Sequence, residues 1–114
     1  MDKERLILLE KTAKECCRGK GMSASYFLWR IFCAMRENRE LLLEPDGQRL
    51  YDEVLEFLFH RYGEARIEKE TQKSRIEFLC DLHCKHSAFP FEEKLSASHV
   101  RSFLEACQKN WALT

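Results

Sequence analysis

A chain of 114 residues, 45% apolar and 33% charged, has the length and composition of one globular domain that closes its own core, not of a disordered tail. Its 19 basic and 19 acidic side chains cancel, which argues against a nucleic-acid partner, because phosphate neutralisation draws on a basic excess. With only 4 Gly and 2 Pro there is little material for the turns of an all-β fold, so the expected class is all-α.

The first expected helix covers residues 2–18. Leu6, Leu9, Ala13, Cys16 and Cys17 fall on one stripe at helical spacing. Asp2 and Glu4 near its start and Lys14 and Arg18 near its end complement the helix dipole. Gly19 and Gly21 then stop it. The leading segment has only a four-residue apolar run before charges return, which is not a secretory signal.

The second expected helix, 23–38, is the centre of the fold. Between Tyr26 and Met35 only Arg30 is charged, and the remaining side chains point in every direction around a helix. A helix that is apolar all round is a buried one, and this run is too short for the roughly 20 residues that cross a bilayer. Ser23 is the expected N-cap, with Met22 and Phe27 placed as a hydrophobic staple. Leu41, Leu42 and Leu43 either prolong the helix or cover the core, and Glu44-Pro45-Asp46-Gly47 breaks the chain.

Asp46 is the expected N-cap of a third helix, 47–62, that ends at Gly63. Leu50, Tyr51, Val54, Leu55, Phe57, Leu58 and Tyr62 form its broad apolar face, with Phe59 at the margin. Asp52, Glu53, Glu56 and His60 are expected in solvent. The fourth helix is expected over 64–85, its charged part 64–75 solvated and its second part, from Ile76, apolar on two sides. Pro90 breaks it, flanked by Phe89 and Phe91 in a loop that plugs the core or docks a partner. The last helix starts near Ser96 and carries the stripe Val100, Phe103, Leu104, Cys107 and Trp111. The expected architecture is a compact bundle of about five helices around 23–38, forming one domain over 1–114.

The densest chemistry is Cys80-Asp-Leu-His83-Cys84-Lys-His86. Zinc takes four S or N ligands in a tetrahedron, and Cys80, His83 and Cys84 on one helix would need Cys16 or Cys17 to close it. No second CxxC or HxxxH follows at finger spacing, and buried thiols are ordinary core residues, so zinc is the alternative and core packing the first reading. The six cysteines, without a secretory signal, point to reduced thiols in a cytoplasmic or nuclear protein. A thiol mechanism would need a cysteine activated by a base across a cleft, and a His on the same helical turn lies alongside instead.

No phosphate loop, HExxH or GxSxG occurs, so no catalytic residue is assigned and no enzymatic activity is expected. Arg30 either packs against an internal acid or opens into a groove that holds an acidic group of a partner. With the aromatic residues Trp29, Phe59, Phe89, Phe91 and Trp111, it makes up the candidate partner-binding set. The expected function is a non-catalytic protein-interaction module: an adaptor, a regulatory subunit or a pathogen factor engaging another protein, a second copy included. The alternatives are a zinc-stabilised helical regulatory domain contacting nucleic acid, and a thiol redox sensor.

Overall fold

In the computed structural model, which describes residues 3–72 and 95–113, the apolar stretch becomes the middle of helix α2, Ala24–Glu37. Every residue from Ala24 to Met35 is buried, which is what an apolar surface on all sides requires. Ser23 caps it from an extended backbone: its side-chain oxygen accepts the Tyr26 N–H at 3.1 Å, an interaction worth about 1 kcal/mol. Met22, the expected staple, packs on the core from the edge. At the far end the Asn38 side chain donates to the Ala34 carbonyl at 2.8 Å and closes the last turn.

Around α2 stand α1 (Lys3–Cys16), α3 (Pro45–Tyr62) and α5 (Ala97–Leu113), each packed on α2 and on the other two. The fifth α-helix among the described residues, α4 (Glu64–Gln72), packs on α3. A single 3-10 turn, Arg39–Leu43, joins α2 to α3 and settles the leucine triplet: Leu41 enters the core while Leu43 is 85% exposed. All regular structure among the described residues is helical, and the radius of gyration, 13.4 Å, is that of a compact chain. Aromatic contacts knit the bundle. Phe27 meets Phe103 of α5 edge-on at 5.3 Å, and Phe32 stacks on Tyr51 of α3 at 5.3 Å.

Four local expectations are corrected. α1 ends at Cys16, and the left-handed Gly19 and Gly21 (φ 77° and 69°) reverse the chain after it. The cap of α3 is Glu44, not Asp46, because Pro45 with its fixed φ takes the first helical position. Asp46 instead accepts a hydrogen bond from Gln108 of α5 at 2.7 Å, beside the Glu44–Arg101 ion pair at 3.0 Å. Glu53 is not on a solvated face: it is 3% exposed, under α5. Segment 64–75 is not wholly solvated either, since Ile67, 1% exposed, anchors α4 to the core. The expected extension of the fourth helix to residue 85 and the loop 87–91 lie outside the described residues.

Two glycines are required by the geometry. Gly63, at φ 91°, ends α3 and donates its N–H to the Phe59 carbonyl at 2.8 Å. Gly47 is buried where the first turn of α3 meets the 3-10 turn, and a Cβ there would overlap the Leu41 carbonyl oxygen.

Candidate functional site

Of the candidate partner-binding residues, the four that the structure describes do not converge on one groove. Trp29 and Arg30 are both inside the bundle, Arg30 only 5% exposed with its guanidinium carbon 6.0 Å from the Tyr26 ring centroid. Neither offers surface to a partner. Phe59 is half-buried against the core, and Trp111 is half-buried on α5. Phe89 and Phe91 lie outside the described residues.

Of the candidate zinc ligands, Cys80, His83 and Cys84 also lie outside the described residues. Cys16 is half-buried and Cys17 is buried, both as free thiols. Cys17 Sγ lies within sulfur hydrogen-bond reach of the Met22 and Lys14 carbonyl oxygens, at 3.6 and 3.8 Å, and so packs the turn after α1. Among the described residues no three His, Cys, Asp or Glu side chains are grouped to hold a metal ion. Burial pushes the Cys16 and Cys17 thiols up from their ordinary range, the neighbouring Cys17 and Glu15 adding to the effect at Cys16. Cys107 is pushed up to about 12, by burial first and then by the Glu53 charge. These three thiols stay protonated at neutral pH, the opposite of an activated thiolate.

Two of the hollows lined by the described residues lie on the two flanks of α1. On one flank a shallow groove of about 510 Å³ runs between α1 and α3. Its floor is Leu6, Ile7 and Phe57, and its rim is Lys3, Glu10, His60 and Arg61. Ile7 is 60% exposed, although it sits in a turn of helix α1 whose neighbours Leu6 and Leu9 are core. Glu10 is partly engaged by Lys14 at 3.6 Å and His60 by Glu56 at 3.4 Å, so the rim is net basic.

On the other flank, α1, α3 and α5 enclose a cleft of about 410 Å³. Leu8 and Leu9 of α1, Cys107 and Trp111 of α5, and the Arg49–Glu53 pair of α3 line it, with Glu4 and Arg5 at its edge. Arg49 Nε donates to Glu53 Oε2 at 2.9 Å, and the guanidinium lies 4.0 Å over the Trp111 ring centroid. One helical turn of α3 and one aromatic residue of α5 thus hold this cation from two sides. Asn110 donates to Thr12 Oγ1 at 2.6 Å, and Thr12 donates to the Leu8 carbonyl at 2.9 Å, which ties α5 to α1 close to the cleft.

Comparison with protein-family models, with curated proteins and with solved structures finds no match for the chain. The site residues therefore rest on geometry alone. Ile7, Arg49 and Glu53 are absent from the sequence-derived set, yet each had a signal. The run Leu6-Ile7-Leu8-Leu9 is wider than one helical stripe, so something apolar had to face outward. Arg49 and Glu53 are an i,i+4 pair of opposite charge, which sequence alone reads as a surface pair. Only the arrival of α5 buries it.

Proposed function

We propose that the chain is a non-catalytic protein-interaction module whose α1–α3 groove receives an apolar segment of a partner protein flanked by acidic residues. The observation that supports this is Ile7, 60% exposed on the floor of a groove whose other apolar walls are Leu6 and Phe57. Leaving a large β-branched side chain 60% exposed forfeits about 1–2 kcal/mol of burial, which a partner would recover. The rim selects the partner's charge. Lys3 and Arg61 are fixed cations, and Glu10 is the lone acid among the groove-lining residues. No helix among the described residues is long and apolar enough to cross a membrane.

The test is retention of proteins from a native extract on the full chain, compared between wild type, Ile7→Asp and Leu43→Asp. Leu43 is 85% exposed, but it lies on the 3-10 turn outside the groove. A protein held by wild type and by Leu43→Asp, released by Ile7→Asp and weakened by salt supports the reading. Retention that survives Ile7→Asp, or no retention at all, refutes it. Recovery of the chain itself as the retained species replaces the separate partner with a second copy.

A further inference from the structure

The cleft on the opposite flank of α1 is a second site, and its chemistry is more specific than that of the groove. Arg49 is fixed there by two contacts that leave its fork open. Nε is used by Glu53 at 2.9 Å and one face by Trp111 at 4.0 Å, and among the described residues the two terminal amino groups have no hydrogen-bond or ion-pair partner. A guanidinium presents parallel N–H donors that match the two oxygens of a carboxylate. Pinning it in advance removes most of the side-chain entropy that binding would otherwise lose. Beside it Leu8, Leu9 and the Trp111 ring give the lining an apolar part, and Glu4, Arg5 and Glu53 a charged one.

We propose that this cleft binds a carboxylate carried next to an apolar group, with Arg49 as the contacting residue and Glu53 as the residue that positions it. The charges of the lining decide between anions. Arg5 and Arg49 are balanced by Glu4 and Glu53, so the empty cleft is neutral. A carboxylate leaves it with one negative charge, whereas a phosphate dianion leaves two beside a carboxylate that is 3% exposed. The volume, about 410 Å³, is within the range of small-ligand sites and admits one or two residues of a peptide. Such a carboxylate has two sources in a protein partner, a C-terminus with an apolar last residue or an internal Asp or Glu beside one.

Two probes separate these sources: acetyl-leucine, with a terminal carboxylate, and acetyl-leucyl-glutamic acid α-amide, blocked at its C-terminus and carrying only the side-chain carboxylate. Acetyl-leucine amide is the control. Each is titrated into the full chain while the Arg49 Nε–H and Trp111 indole signals are followed by NMR. A ligand of this size is expected to bind with Kd on the order of a few millimolar. Saturable shifts at both signals with either acid, absent with the amide, support the proposal, and the acid that binds names the source. Arg49→Lys keeps a cation beside Glu53 but loses the fork, and is expected to weaken binding by about tenfold with an unchanged melting temperature. Unshifted signals with both acids, equal shifts with the amide, or undiminished binding by Arg49→Lys overturn it. The groove reading is judged by Ile7→Asp, so the two proposals fail separately.

Discussion

Gly47→Ala tests the packing that sets α3 against the rest of the bundle. On helix propensity alone the change should help, by up to about 1 kcal/mol in a helix interior. The structure reverses that sign. A Cβ at position 47 would overlap the Leu41 carbonyl oxygen and lie 2.9 Å from the carbonyl carbon. Both atoms are backbone, and Leu41 is itself buried, so no flexible side chain can swing aside. The 3-10 turn or the start of α3 must move as a unit. Forced overpacking costs about 1–3 kcal/mol, and an overlap with backbone atoms belongs at the upper end, so subtracting a propensity gain of about 1 kcal/mol from about 3 leaves a net loss of about 2 kcal/mol. At roughly 4 °C per kcal/mol for a domain of this size, the melting temperature should fall by about 8 °C. Circular dichroism during thermal and urea unfolding measures it, with Gln48→Ala at the exposed neighbouring position expected within about 0.5 kcal/mol of wild type. A Gly47→Ala protein as stable as wild type, or more so, would show that this close approach is not a feature of the native fold.

Ile67→Ala is expected to destabilise by about 2–4 kcal/mol, because it removes a fully buried side chain, whereas Lys69→Ala on the exposed side of α4 should change little; urea midpoints compare them. Arg49→Ala leaves the Glu53 charge 3% exposed and without its hydrogen bond, and should lose about 2–4 kcal/mol in the same assay, unlike Arg49→Lys. Alkaline pH should also weaken the fold. The Cys107 thiol is raised from 9.0 to about 12, so the unfolded chain releases its proton first and stability contributed below pH 9 is lost as pH climbs toward 12. Unfolding free energies at pH 7, 9 and 10 under reducing conditions should therefore decline, less steeply in Cys107→Ala; identical slopes would disprove the linkage.

The sequence made some of this legible because certain patterns admit one solution. Tyr26–Met35 has no polar face, so burial on all sides was its only outcome, and Ser23 with Met22 marked where the helix begins. Gly63 could be read as a stop because few other residues reach φ 91° easily. The rest depended on which helices meet. Glu53 looks solvated until Trp111 and Cys107 of α5 close over α3. Ile67 is a lone apolar residue in a charged run, too little for a periodic signal. Arg30 could have opened a groove or been enclosed, and only the surrounding helices enclose it. Asp46 is a good cap by type, but Pro45 shifted the helix start one residue earlier than it could serve. Outward-facing Ile7 was hidden in a run that supplies core residues on either side.

If the Ile7 flank of α1 binds a partner protein as proposed, photo-crosslinking from that position will capture it. Benzoylphenylalanine replaces Ile7 in one version of the chain and Leu43 in another, and each is irradiated in a native extract. A discrete adduct is expected from position 7, carrying a partner whose crosslinked segment is apolar and flanked by acidic residues, and none from position 43. Equal labelling from both positions, or no adduct from position 7, would contradict it.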